Sequence, residues 1–154
     1  MPRIHVIGAP GSGKTTYARK LATIRKLPLC HLDEIYHDNS GTVSRKRSEK
    51  ERTAMAQDFA NTQSWVSEGA SFSDWVNPIL NRATEIHIVS PSRFVRVVRL
   101  IKRYVRRKLG LEPTTYNETF RGLWDGIKWT WRYDSDTLPI ILNKIPKRTK
   151  VYRV

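Results

Sequence analysis

A glycine-rich segment near the start of the chain has the spacing that phosphate binding requires. Residues 8–16 read Gly-Ala-Pro-Gly-Ser-Gly-Lys-Thr-Thr and satisfy the pattern G-x-x-x-x-G-K-[ST]. The glycines let successive backbone N–H groups turn toward phosphate oxygens, and a helix that follows adds its positive N-terminus to the same site. In this pattern the lysine, here Lys14, reaches the β- and γ-phosphates, and the hydroxyl of Thr15 binds Mg²⁺.

The context of the segment also fits a phosphate-binding loop. An apolar strand pattern at residues 3–8 precedes it and a helical pattern at 14–26 follows it, which argues against a glycine-rich turn that matches by chance. We therefore expect ATP and Mg²⁺ to bind here. The residues expected to hold them are Gly8, Pro10, Gly11, Ser12, Gly13, Lys14, Thr15 and Thr16.

Two carboxylates are candidates to complete a phosphoryl-transfer site, which needs an acidic group to hold Mg²⁺ or to accept the proton of the attacking hydroxyl. Asp33 closes a predicted strand at 27–33 and Glu68 stands near the end of another at 64–69, and open α/β sheets bind ligands at the carboxyl ends of strands. Asp33 is the preferred catalytic group and metal ligand; the alternative is that it caps a turn or a helix. The alternative for Glu68 is a salt bridge to an arginine. The acceptor is expected to contact Asp33, Tyr36, Glu68 and Gly69, with packing in a turn as the alternative for Tyr36.

A predicted helix at residues 92–109 carries eight basic residues and no acidic one. Spacings of three and four place its arginines on one face, and an apolar stripe on the opposing face consists of Val97, Val98, Ile101, Tyr104 and Val105. The basic face could be simply solvated, or it could follow the phosphate backbone of a nucleic acid. Tryptophans 124, 129 and 131 could stack on bases, but the helical spacing of Trp124, Ile127 and Trp131 favours packing in the core.

The chain is strongly basic, with 28 Lys and Arg against 14 Asp and Glu and a formal net charge of +14. This balance indicates an anionic partner, such as a nucleotide, a nucleic acid or an acidic lipid surface. The single cysteine, Cys30, excludes a disulfide framework and a cysteine-based zinc site and fits a cytoplasmic protein. No apolar run approaches the roughly 20 residues that a membrane-spanning helix needs.

Strand and helix patterns alternate along the chain. Strands are predicted at 3–8, 27–33, 64–69, 85–90 and 151–154, and helices at 14–26, 44–63, about 71–83, 92–109 and 117–133. Between them lie a turn-rich segment at 37–43 and a short loop at 110–116, and no helix follows the last strand. The alternation predicts one α/β domain over residues 1–154, with a parallel sheet flanked by crossover helices.

The segment at 8–16 resembles the loop of the adenylate-kinase-like branch of P-loop kinases, which has the form Gly-x-Pro-Gly-x-Gly-Lys. Later segments resemble a small group within that branch, the topology modulation proteins. These segments are His31-Leu-Asp33-Glu34, Glu68-Gly69-Ala70, Pro91-Ser-Arg93 and Trp129-Thr-Trp131-Arg132-Tyr133. The resemblance implies a P-loop NTPase fold, a five-stranded sheet in the order 2-3-1-4-5, and ATP-dependent phosphotransfer.

The resemblance also implies roles for three arginines. Arg99 and Arg103, four residues apart, would clamp the transferred phosphoryl group, and Arg132 would be a further nucleotide contact beyond a short lid-like region at 93–132. The planar guanidinium suits this task because it binds phosphate bidentately and stays charged.

The chain departs from nucleoside monophosphate kinases after Glu68. Those enzymes place an arginine there to hold the acceptor phosphate, whereas residues 68–75 contain none; Arg45, Lys46 and Arg47 are the candidates to replace it. The acceptor therefore stays open. Three functions remain: a nucleoside- or nucleotide-type small-molecule kinase, which leads; a nucleic-acid-associated P-loop protein; and a nucleotide-binding regulator with little turnover.

Overall fold

The computed structural model describes residues 1–38, 40, 44–112 and 119–154 and is built on a parallel sheet between helices. In chain order, the strands are β1 (Arg3–Ile7), β2 (Leu29–His31), β3 (His37–Asp38), β4 (Arg45–Lys46), β5 (Trp65–Gly69), β6 (Glu85–Ile88) and β7 (Lys150–Arg153). Five of them form a parallel sheet in the order β2-β5-β1-β6-β7. When these five are counted along the chain, the order is 2-3-1-4-5, so the predicted fold class is confirmed.

Seven α-helices connect or flank the described strands. They are α1 (Lys14–Arg25), α2 (Leu32–Tyr36), α3 (Glu49–Asn61), α4 (Asn77–Arg82), α5 (Arg93–Lys108), α6 (Phe120–Arg132) and α7 (Leu138–Lys144). A 3₁₀ turn at Asp74–Val76 leads into α4, and a π-helical turn at Tyr133–Thr137 joins α6 to α7. No helix in the described part of the chain is long and apolar enough to cross a membrane.

The central strands are apolar because helices cover both faces of the sheet. Ile4 and Val6 of β1 pack with Val66 and helix α1 on one face, while Ile7 and Trp65 belong to the larger core on the other face. Parallel strands buried on both sides have nearly continuous apolar sequences rather than alternating ones. This burial fixes the carboxyl ends of β1, β2 and β5 at one edge of the sheet.

The predicted element bounds differ from the structure where capping residues act. Ser48 accepts a hydrogen bond from the backbone of Glu51, whose side chain accepts one in return from the Ser48 backbone. This capping box starts α3 at Glu49, so the predicted start at 44 is wrong, and residues 45–46 instead pair with residues 37–38 in a small antiparallel hairpin. The second strand is likewise shorter than predicted, because residues 32–36 form α2.

Two predicted loops and one helix start extend beyond the described residues. Residues 39 and 41–43 of the turn-rich segment, residues 113–116 of the short loop and the predicted helix start at 117 lie outside them. Within the described part, Thr119 caps α6 by accepting a hydrogen bond from the backbone of Gly122 at 3.0 Å.

Helix α5 leaves most of its predicted apolar stripe exposed and buries a mixed side. Arg96 and Leu100 are its buried residues, whereas Val98, Ile101 and Val105 of the apolar stripe are exposed. The prediction that Trp124 and Trp131 pack in the core is wrong, because both are exposed on α6. Arg96 can be buried because Asp134 pairs with its guanidinium through two hydrogen bonds, one of them 3.1 Å between Nη1 and Oδ1.

Candidate active site

The glycine-rich loop joins the end of β1 to the first turn of α1. Gly11 and Gly13 have φ angles of 76° and 91°, which glycine adopts without steric cost. A side chain at position 11 would also lie 2.5 Å from the carbonyl oxygen of Arg96, so α5 packs directly on the loop. No acidic residue lies in the first turn of α1, so the positive helix end is not neutralised from within and favours an anion.

Thr15, Glu68 and His31 form a hydrogen-bonded group beside this loop. The Thr15 hydroxyl donates to Glu68 Oε1 at 3.1 Å, and His31 Nδ1 lies 2.8 Å from the same oxygen. Glu68 is buried, and its second oxygen, Oε2, has no hydrogen-bond partner among the described residues. An unpartnered buried carboxylate oxygen next to a hydroxyl is a suitable outer support for a hydrated cation.

Lys14 lies between two carboxylates at the start of α1. Burial lowers the pKa of Lys14 from its ordinary value, while the negative charges of Glu68 and Asp33 raise it and the positive charge of Arg103 lowers it further. The lysine is therefore surrounded by charged groups from β5, α2 and α5. A bound anion would compensate for part of the hydration that Lys14 loses on burial.

The two predicted clamp arginines of α5 behave differently. Arg99 Nη1 donates to the backbone carbonyl oxygen of Ser12 at 2.8 Å and, more weakly, to that of Gly11 at 3.5 Å. The side chain of Arg103, one turn later, is exposed and has no hydrogen bond or ion pair to any described residue. The guanidinium of Arg99 thus holds the loop in place, and that of Arg103 remains available to a ligand.

Two cavities meet at this edge of the sheet. The phosphate cavity, about 560 Å³, is bounded by the loop, the start of α1, Glu68 and the arginine face of α5. The aromatic cavity, about 440 Å³, lies on the other side of Lys14. Three residues line both cavities, namely Lys14, Asp33 and Arg103.

Solved structures with the same architecture include several kinases. A shikimate kinase from Acinetobacter baumannii in complex with shikimate is 14% identical, with 100% of this chain and 83% of that chain covered and a TM-score of 0.61. A gluconokinase from Sinorhizobium meliloti is 14% identical, with 99% and 82% covered and a TM-score of 0.54. A sugar kinase from a Janibacter species is 14% identical, with 100% and 84% covered and a TM-score of 0.51.

The fold is that of the P-loop kinases. At these identities the likeness concerns the fold alone. No protein-family model matches the chain, and no curated protein matches it in sequence.

In this P-loop kinase fold, aromatic rings form much of the second cavity. Tyr36, Phe72, Trp75 and Trp129 line it together with Ser71 and Ser73. The Tyr36 ring lies 6.4 Å from the Trp75 ring, and the guanidinium of Arg52 lies over both, 4.7 Å and 5.7 Å from their centroids. Tyr36 thus lines the cavity and packs against the neighbouring helix at the same time.

Sequence reasoning missed several of these residues. His31 is not among the predicted site residues, but it contacts the carboxylate of Glu68. Phe72, Trp75 and Arg52 carry no motif, and their neighbours along the chain do not reveal the cavity. Only the pairing of His31 with Glu68 in adjacent strands β2 and β5 was foreseeable, once the strand order was known.

Some predicted site residues lie elsewhere. Arg132, at the end of α6, is exposed and lines neither cavity. Gly69 is buried at the end of β5, where a side chain would lie 2.6 Å from Leu32 Cδ1, so it sets the packing of α2. Arg45 pairs with Asp38 and Glu51, and Arg47 donates to the carbonyl oxygens of Glu34 and His37. These two arginines therefore stabilise the hairpin instead of facing the aromatic cavity.

Proposed function

We propose that this protein is an ATP-dependent kinase of small molecules, of the adenylate-kinase-like type, and that Lys14, Asp33 and Arg103 stand where phosphoryl transfer occurs. The observation that carries the proposal is that these three residues line both the phosphate cavity and the aromatic cavity. A donor in one cavity and an acceptor in the other would meet at this junction. Transfer between bound reactants depends chiefly on such positioning and on charge stabilisation.

The donor side is proposed to hold ATP with Mg²⁺. The loop N–H groups and Lys14 bind the β- and γ-phosphates, and Arg103 contacts the transferred group. The residues present fit a Mg²⁺ ion, because Mg²⁺ uses few protein ligands and keeps several waters: the Thr15 hydroxyl is one ligand, and the unpartnered Oε2 of Glu68 is an acceptor for its water. Bound Mg²⁺ would neutralise part of the negative charge of the phosphates.

This assignment changes the predicted metal ligand. Asp33 is the preferred ligand from the sequence, but Glu68 is the carboxylate that contacts Thr15. Asp33 is exposed in the first turn of α2, and its side chain has no hydrogen bond or ion pair to a described residue. Asp33 is therefore free to act on the acceptor. In the proposed step it accepts the proton of the acceptor hydroxyl, whose oxygen attacks the γ-phosphorus as the bond to the β-phosphate oxygen breaks, giving ADP and a phosphate ester.

The lining of the aromatic cavity favours an uncharged acceptor with a flat ring. Outside the junction, the described residues that line it include no lysine or arginine. The neighbouring cations, Arg52 and Lys46, lie against the Tyr36 ring instead, 4.7 Å and 4.9 Å from its centroid. The rings of Tyr36, Phe72, Trp75 and Trp129 offer stacking surfaces, and Ser71 and Ser73 offer hydroxyl groups. A nucleoside therefore fits better than a nucleoside monophosphate.

The experiment is a coupled assay of ADP release from ATP–Mg²⁺ with separate acceptors. These are nucleosides, nucleoside monophosphates, sugar alcohols and 5′-hydroxyl oligonucleotides, each at low and high salt. Lys14→Ala should abolish productive ATP binding and ADP release with the fold intact, and the matched control Lys20→Ala, an exposed lysine of α1, should retain both.

Each other result contradicts the proposal in a defined way. If only oligonucleotides stimulate ADP release, and the stimulation is lost at high salt, the protein acts on the ends of nucleic acids. ATP–Mg²⁺ binding without stimulation by any acceptor would indicate a regulator.

A further inference from the structure

Helix α5 exposes an apolar stripe. Phe94 is 72% exposed and Val98 62%, and Ile101 and Val105 continue the same stripe toward the end of the helix. In a globular surface helix such a stripe packs on the core. Here the buried positions of α5 are Arg96, which pairs with Asp134, and Leu100, while the exposed Arg99 donates to the phosphate loop. The stripe is thus left at the surface by the way the helix is anchored.

Helix α6 extends this apolar surface. Phe120 is exposed, as are Trp124 (51%) and Trp131 (42%). The rings of Phe94 and Trp131 meet edge to face with centroids 5.7 Å apart, so the stripes of the two helices are continuous. The apolar α5–α6 face is the set Phe94, Val98, Ile101, Val105, Phe120, Trp124 and Trp131. Exposed apolar surfaces of this kind mark contacts with a partner or a membrane.

Basic side chains surround this face. They are all exposed and consist of Lys102, Arg106 and Lys108 on α5 and Arg121 and Lys128 on α6. Lys128 lies over the Trp124 ring at 5.6 Å. Helix α5 contains no acidic residue, α6 contains only Asp125, and the chain carries a net charge of +14. Two copies joined through this face would bring like charges together, so the complementary partner is an anionic one.

The aliphatic residues distinguish between anionic partners. Val98, Ile101 and Val105 have no favourable contact with a phosphate backbone, whereas lipid acyl chains bury them and the surrounding lysines and arginines reach the headgroups. Tryptophan suits the boundary between the two regions. We propose that the α5–α6 face docks on an anionic phospholipid surface, with the apolar residues at the acyl boundary and the basic residues at the headgroups.

The test is sedimentation of the full chain with vesicles, together with tryptophan emission. Vesicles of phosphatidylcholine mixed with phosphatidylglycerol should bind the protein and shift its emission to shorter wavelength, and vesicles of phosphatidylcholine alone should bind it weakly. The variant Val98→Gln/Ile101→Gln should lower the affinity about tenfold or more. Lys102→Gln and Lys128→Gln should each lower it about fivefold, and less at high salt. Ile24→Gln, at a site on α1 that is 66% exposed, should change nothing.

An unchanged midpoint of urea denaturation in every variant shows that the fold is intact, so the test does not depend on ATP binding or kinase activity. Three results would overturn it. Wild-type protein that fails to bind the mixed vesicles excludes lipid docking. Binding of an oligonucleotide, but not of vesicles, that Lys102→Gln weakens assigns the face to nucleic acid. A dimer that the double variant dissociates, without vesicle binding, assigns it to a second copy of the chain.

Discussion

Arg99 of α5 donates a hydrogen bond of 2.8 Å to the carbonyl oxygen of Ser12, 87 positions earlier in the chain. The oxygen belongs to the phosphate loop, and the donor belongs to the helix that also carries Arg103. A charged donor held on a loop carbonyl fixes the direction in which the adjoining loop N–H groups point. The hydrogen bond to Ser12 therefore gives Arg99 a different role from Arg103, although their spacing in the sequence makes the two look equivalent.

We expect Arg99→Ala and Arg103→Ala to affect different constants. Loss of the hydrogen bond to Ser12 loosens the loop, so Arg99→Ala should raise the Kd for ATP–Mg²⁺ about tenfold or more, since hydrogen bonds to charged groups contribute about 1.5–3 kcal/mol. Arg103→Ala should leave this Kd within about twofold and lower turnover about 10³-fold, because a group on the transferring phosphoryl acts mainly in the transition state.

Calorimetric titration of ATP–Mg²⁺ and the ADP-release assay measure these two effects. Lys102→Ala, an exposed neighbour between the two arginines, serves as the control in solution. Equal losses of affinity in both arginine variants would contradict the distinction.

Substitutions of Glu68 and Asp33 should also affect different quantities. Glu68→Gln removes the charge beside Thr15, so the Mg²⁺ concentration needed for half-maximal ATP binding should rise about tenfold or more. Asp33→Asn should leave that requirement unchanged and lower turnover by about 10²–10⁴-fold, as expected for loss of a general base. Binding titrations across a Mg²⁺ series, followed by turnover at saturating Mg²⁺, distinguish the two. A larger Mg²⁺ shift in Asp33→Asn would return the metal role to Asp33.

The buried arginine of α5 should matter for stability. Arg96 is 2% exposed, pairs with Asp134 and donates to the carbonyl oxygen of Thr130. Arg96→Ala removes both hydrogen bonds to the carboxylate and leaves it with Arg93 alone, so it should lower the free energy of unfolding by about 3–5 kcal/mol. Arg93 approaches the same carboxylate at 3.7 Å but is half exposed. Arg93→Ala should therefore cost less than about 1 kcal/mol. Urea denaturation at neutral pH measures both, and similar losses in the two variants would refute the proposed role of the buried pair.

Stability should fall at mildly acidic pH because of His5. This residue is fully buried in β1 beside the Ser67 hydroxyl, and burial lowers the pKa of His5 to about 4 despite the raising effect of Ser67. Below the ordinary value of 6.5 the unfolded chain takes up a proton that the folded chain does not. The full contribution of His5 to the free energy of unfolding is thus present above pH 6.5 and is lost as the pH falls toward 4.

The loss from this one group should be about 2 kcal/mol from about pH 7 to about pH 5. Urea denaturation across this range measures the slope. In His5→Gln the part of the slope due to His5 should vanish, whatever the absolute stability of the variant. An unchanged slope would show that other groups cause the pH dependence.

The phosphate loop and the sheet could be predicted because each depends on local sequence. Residues 8–15 define their own geometry, and the alternation of apolar strands with helices predicts a parallel sheet. The predicted start of α3 is wrong because a capping box decides it. Ser48 and Glu51 start the helix, and the charged residues before them give no periodic signal that would show this.

The orientation of α5 and the lining of the aromatic cavity could not be predicted. An apolar stripe on a helix ordinarily indicates the buried side, but here Asp134, 38 positions after Arg96, allows Arg96 to be buried while most of the stripe is exposed. The aromatic cavity combines residues from the phosphate loop, α2, α5 and α6 with the segment that follows β5. Such distant pairings leave no mark in the spacing of residues along one element.

Two arginines tie the first half of α5 to other parts of the molecule. Arg96 and Arg99 tie its first two turns to Asp134 and to the phosphate loop, and Arg103 lies one turn beyond these ties. We expect backbone amides near Leu100 to exchange with deuterium far more slowly than those after Arg103. Adjustment of Arg103 to a bound phosphate would then take place by bending of the second half of one helix, while its first half remains as rigid as the sheet.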